Sequence, residues 1–183
     1  MAWTTPLTAV SNAALTAAQW NASVRDNLLE TPAAKFTAAG QLFVSTAANA
    51  GAARSIASNR VSGGTQATSS AVLGDNLTTV GPSVTVSTGA TTLVLLTAFV
   101  ANTTAGQGGY VAYAISGATT IAATVDRSLR IMSGAAGERA RMTAANWQTG
   151  LAVGSNTFKA QYSVVASGTA DFDEREIAVL PLS

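Results

Sequence analysis

The chain has 183 residues, of which 48% are hydrophobic and only 10% charged, with a formal net charge of +1. That length allows one ordinary domain plus an appended segment, or two small domains, and the balance of charge excludes a strong pull towards nucleic acid or acidic membranes. Cysteine and histidine are both absent, which excludes disulfides, thiol chemistry, the commonest general base and the commonest metal ligand.

Residues 1–35 differ from everything after them. Trp3 to Leu15 shows no clear period, contains Pro6 and reads as an extended arm. Thr16-Ala17-Ala18-Gln19 fits a capping box, with a hydroxyl N-cap and Gln three positions on. Trp20, Val24 and Leu28 come next at spacing four, which aligns them on one helix face. Thr31-Pro32 then ends the pattern, because a residue before proline avoids the α region. The sequence predicts one short α-helix over 16–30, with its apolar stripe buried against something.

Residues 36–69 are dominated by Ala, Ser, Thr, Gly and Asn and read as a low-complexity neck or linker. Leu42-Phe43-Val44 and Arg54-Ser55-Ile56 are short strand candidates, and Ser62-Gly63-Gly64-Thr65 is a break.

From residue 70 to 183 the pattern is β throughout. Strands are predicted at 83–87, 91–101, 110–115, 119–125, 129–132, 138–143, 157–164 and 170–182. Glycines at 106–109, 134–137 and 150–154 separate them. The predicted fold is mainly β: a C-terminal jelly-roll-like β-sandwich with an N-terminal extended arm and one short α-helix. The longest apolar run, Leu93 to Ala101, is far shorter than the roughly 20 residues that span a bilayer as a helix. With no basic and apolar leader at the N-terminus, the expectation is a soluble chain made in a cytoplasm.

Candidate chemistry is sparse. Asp171, Asp173, Glu174 and Glu176 form an acidic run, but regular strand alternation would put the two Asp on one face and the two Glu on the other. Such carboxylates do not converge on a cation or a sugar. Arg127, Arg130, Arg139 and Arg141 lack the interleaved aromatics that stack bases. Pairing between the arginines and the acids, within or between chains, is the better reading, with Arg139, Arg141, Asp173 and Glu174 as candidate intersubunit charge pairs. No nucleophile elbow, phosphate loop or dinucleotide fingerprint is present, and Gly106-Gln107-Gly108-Gly109 reads only as a turn. Catalytic residues, cofactors and metal sites are therefore not expected. Tyr110, Tyr113 and Trp147 are the candidates for surface binding, and Trp3, Trp20, Val24 and Leu28 for docking into a partner.

The run Ala2-Trp3-Thr4-Thr5-Pro6 through Leu15 to Leu28 resembles a short N-terminal segment of virion proteins from tailed bacteriophages, especially those of actinobacterial hosts. In that segment a Trp-Thr-x-Pro opening leads to an Asn-x-x-Val-Arg-Asp-Asn-Leu helix, matched here by Asn21, Val24, Arg25, Asp26, Asn27 and Leu28. Thr37 to Thr46 resembles the neck of phage fibre proteins, although Ala47 stands where their phrase moves to glycine. The likeness covers about the first sixty residues. Beyond them, Ala114-Ile115-Ser116-Gly117, the Arg-rich middle strand and the ending Val179-Leu180-Pro181-Leu182 resemble trimeric decoration and fibre heads in pattern only. The resemblance implies a bacteriophage virion structural protein, made in the bacterial host cytoplasm. It would be a homotrimeric capsid decoration protein or head fibre, anchored by its N-terminus to the major capsid protein or to tail proteins. A minor tail or baseplate protein contacting the host surface is the alternative, and a carbohydrate-binding module is another, with a host surface glycan as a further candidate partner. No nucleic acid and no membrane insertion are implied.

Overall fold

The computed structural model describes residues 4, 5, 7, 8 and 11–183. Thr16 caps the helix as predicted: its hydroxyl accepts from Gln19 N–H, and the Gln19 side chain accepts from Thr16 N–H. The helix is not regular, however. α1 (Ala17–Trp20) runs into a π-helical turn (Asn21–Arg25) and then α2 (Asp26–Leu28). The π-turn inserts an extra residue into the ladder, which rotates the residues beyond it by roughly 100° relative to a regular helix. The Trp20, Val24, Leu28 stripe is consequently not one buried face. Trp20 is 54% and Leu28 59% exposed, whereas Asn27 and Glu30 are buried. Thr31 is extended, as a residue before proline must be, and Pro32 opens α3 (Pro32–Lys35) from its first position. Lys35 pairs with Glu30 at 2.9 Å, and that contact holds the Glu30 carboxyl below its ordinary range.

The stretch read as a neck is largely ordered strand. β1 (Gln41–Ala47) and β2 (Ala50–Ser55) form an antiparallel hairpin. Phe43 packs edge-on to Phe36 at 6.5 Å and fills the space above Gly51. β3 (Ala57–Val61) and β4 (Gln66–Thr68) both pair with the last strand of the chain. The sandwich thus starts at residue 57, not at 70. This boundary is invisible in composition because the partner of β3 lies at the far end of the sequence.

The remaining strands are β5 (Ser83–Thr88), β6 (Thr92–Asn102), β7 (Gly108–Gly117), β8 (Leu129–Met132), β9 (Ala140–Gln148), β10 (Gly154–Val164) and β11 (Ala170–Pro181). They build two packed sheets, ordered β5-β10-β7-β8 and β3-β11-β6-β9, with β4 added beside β11. From β3 onward the path crosses between sheets at every step except the β7–β8 hairpin and the local β3–β4 step. That is the jelly-roll order. One predicted strand is absent: within 119–125 only Ile121 bridges, to Ile115, and Val125–Arg127 is a 3-10 turn. β7 and β8 are hydrogen-bonded neighbours, so the residues between them must serve as the connection.

The core is filled by alternating inward side chains from both sheets, including Val94, Leu96, Tyr113, Phe158, Tyr162, Phe172 and Ile177. Burying each of the large side chains contributes about 1.5–3 kcal/mol. Gly109 is part of β7 and not of a loop; a Cβ there would stand 2.7 Å from the Phe172 ring, so the glycine sets how closely the sheets approach.

β11 holds an irregularity that sequence alternation does not reveal. Asp173 pairs with Phe99 and Glu176 with Thr97, so Glu174 and Arg175 share one partner position. Glu174 takes the left-handed conformation, with φ 46°. This bulge shifts the inward set from Ala170 and Phe172 to Arg175, Ile177 and Val179. Arg175 is 1% exposed. Its guanidinium donates to the carbonyls of Thr79 (2.9 Å) and Gly81 (3.3 Å) and lies over the Tyr162 ring at 5.3 Å. The Tyr162 hydroxyl donates to the same Gly81 carbonyl at 2.6 Å.

The core makes two measurable claims. Arg175→Ala should lower unfolding free energy by about 2–5 kcal/mol, since it leaves a cavity in the core and removes the guanidinium that donates to the Thr79 and Gly81 carbonyls; a denaturant midpoint unchanged from wild type would contradict the role given to the bulge. Burial raises the Tyr113 phenol to about 12. The neutral phenol therefore stabilises the fold fully below pH about 10, its unfolded value, and that contribution disappears as pH rises towards 12. Urea midpoints should hold to pH about 10 and then fall, and Tyr113→Phe should fall less steeply.

Candidate functional site

The described part of the N-terminal arm lies along the helix, held by two polar side chains. The Asn27 carboxamide accepts from Thr4 N–H (3.0 Å) and from the Thr4 hydroxyl (3.2 Å). Its amide nitrogen donates to the carbonyls of Thr4 (3.3 Å) and Ser23 (3.1 Å). Ser23 Oγ accepts from Leu7 N–H at 3.1 Å. An extended arm has no ladder of its own, and these side chains supply the partners that its backbone needs. In the sequence Asn27 is only one letter of a motif; its role as a polar clamp comes from the fold-back of the arm.

Arm and helix enclose a groove of about 390 Å3, lined by Leu7, Ala13, Leu15, Trp20 and Val24 among others. Trp20 and Val24 meet there, while Leu28 is 59% exposed and is not part of the lining. Trp3 lies outside the described residues. The buried core of the sandwich contains no described residue from 1–35. Contact with the sandwich runs instead through α3 and the β1–β2 hairpin, where Arg54 donates to the Ser183 carbonyl at 3.2 Å.

The three aromatics considered for surface binding do not form one platform. Tyr113 points into the core, fully buried, and donates to Gln148 at 3.2 Å. Strand alternation explains this: Val111, Tyr113 and Ile115 share the inner face of β7. Tyr110 faces outward on the four-stranded sheet, under the Arg130 guanidinium at 5.7 Å. Trp147 is 65% exposed on the other sheet, on its edge strand β9.

The acidic and basic residues do pair, and the contacts run within the chain. Arg139 meets Asp173 at 3.5 Å, and Arg141 crosses the Phe99 ring towards Glu176 at 3.9 Å. Glu174 pairs with Arg60 of β3. The bulge is the physical reason. It moves Glu176 onto the same outer face as Asp173, two strands from Arg141 across Phe99 and Thr97. These pairs are solvated and contribute about 0–1 kcal/mol each.

Next to this charged end, the outer face of β11, β6 and β9 is uncharged. Leu93 pairs with both Trp147 and Leu180, and Leu95 with both Ala145 and Ala178. Thr97 and Thr143 join hydroxyls at 2.8 Å between the two zones. Among the described residues, no group of three Asp, Glu, His or Cys side chains gathers as a metal site would require. No described helix is long and apolar enough to cross a membrane.

No family model matches the chain, and no curated protein matches it either.

Removing the clamp tests the arm's attachment to the helix. Asn27→Ala should speed limited proteolysis within residues 4–15 severalfold and leave the melting temperature of the sandwich unchanged. Equal proteolysis rates would show that the arm is held by other contacts.

Proposed function

We propose that the chain is a non-enzymatic bacteriophage virion structural protein, a homotrimeric capsid decoration protein or head fibre. On this reading residues 1–35 attach to the particle and the jelly roll is displayed outward. The observation that carries it is the separate N-terminal unit. Its arm and helix are held together by Asn27 and Ser23, its described residues contribute nothing to the sandwich core, and it leaves Trp20 54% and Leu28 59% exposed. Large apolar side chains held on a small ordered unit are the usual anchors of a protein interface. The likeness of the same residues to phage virion segments points in the same direction. Low charge supports the reading further, since a surface of Thr, Ser, Asn and Ala suits close packing between chains.

Attachment can be measured directly, by adding the purified chain to particles that lack it and locating it by electron microscopy. Trp20→Ala should reduce particle binding by roughly 30-fold or more, the loss typical of an interface tryptophan, with the far-ultraviolet β signal retained. Undiminished binding by Trp20→Ala, or by a chain lacking residues 1–35, would overturn the proposal.

A further inference from the structure

We infer that the uncharged part of the outer face formed by β11, β6 and β9, together with the open edge of β9, is where copies of this chain pack against one another. This rests on the homotrimer in the proposed function and names its contact surface. The face is made by Leu93, Leu95, Ala145, Trp147, Ala178 and Leu180. Sheet faces turned to water normally carry polar side chains at alternate positions. Here β6 presents leucine at two successive outward positions, and Trp147, beside Leu93, is 65% exposed.

The edge points the same way. Among the described residues, β9 ends its sheet with no strand beyond it. From Met142 to Gln148 it has no charge, no proline and no bulge, the devices that normally blunt an exposed edge. Met142, on the inner side of this edge, is 50% exposed. Both sides of β9 therefore offer apolar surface around unpaired backbone groups.

Charge and the open β9 edge select the occupant. The neighbouring Arg139, Arg141, Asp173 and Glu176 are paired within the chain, so the face has no net field to attract a nucleic acid or an acidic glycan. An apolar, neutral surface is complementary to another like itself, and the chain's net charge of +1 does not oppose self-association. Three strands at about 4.8 Å spacing, over the six residues from Thr92 to Thr97 at about 3.3 Å each, give a face on the order of 300 Å2 in projection. With the β9 edge beside it, this face is the apolar centre of an interface and not the whole of the roughly 800 Å2 per partner that a stable one buries.

Sedimentation velocity of the full chain at micromolar concentration tests this. Wild type should sediment as an oligomer, three times 18.3 kDa on the proposed reading. Trp147→Glu and Ala145→Arg both alter outward-facing positions that are not part of the buried core, so each should give a folded single chain with unchanged far-ultraviolet signal. A wild-type chain that sediments alone, or an oligomer that survives both substitutions, overturns the inference. Neither result bears on particle attachment, which Trp20→Ala reads; loss of the virion role with the oligomer intact would leave this surface standing.

Discussion

Arg175 is the constraint around which the sandwich is arranged. Placing a guanidinium in the core costs several kcal/mol of desolvation. Two carbonyl acceptors and the face of Tyr162 offset it, at about 1.5–3 kcal/mol for each charge-assisted hydrogen bond and about 2 kcal/mol for the cation–π contact. Those carbonyls belong to Thr79 and Gly81, in the crossover that brings the chain into β5. One side chain on the last strand thus positions the entry to the opposite sheet. The Glu174 bulge makes this possible, and it also turns Glu176 outward to meet Arg141. Core polarity and surface charge pairing therefore share one backbone irregularity.

Buried asparagines do comparable work at the loops. Asn102 donates to the carbonyls of Gly108 and Ser167 and accepts from Thr104 N–H, tying three segments together. Asn156 donates to Thr88 and Ala152 and accepts from Thr119 N–H near the other ends of the strands. A carboxamide has both donors and an acceptor, so it can satisfy backbone groups of opposite kind where chain segments cross. Asn27 does the same for the arm and helix. The sandwich and the arm–helix pair are thus each tied together by their own buried carboxamides.

That separation gives the molecule two apolar surfaces of different character. The arm–helix groove is concave and small, whereas the β11-β6-β9 face is broad and flanked by solvated ion pairs. The first suits insertion of a few side chains, the second suits layer-on-layer packing. Trp20 and Trp147 are the largest exposed side chains on each.

Local features are legible in the sequence wherever they depend on neighbours in the chain. The Thr16–Gln19 capping box, the extended Thr31 before Pro32, the alternation of β5 and β10 and the long buried strand β6 all come from near-neighbour sterics and periodicity. So do the mainly β class and the jelly-roll pattern of the C-terminal part. The features that the tertiary structure alone decided depend on partners distant in sequence. β3 is a strand of the sandwich because β11 offers it an edge, although its own residues Ala57–Val61 look like linker. Residues 119–125 are a connection because β8 already occupies the place beside β7. The acidic run changed faces because a bulge slipped the side-chain period by one residue, and a period of two cannot announce its own interruption. For the candidate surfaces the division is the same: the sequence marked Trp20 for docking and grouped Tyr110, Tyr113 and Trp147 as surface-binding candidates, and only strand order and register put Trp147 on an open sheet face and Tyr113 inside the core.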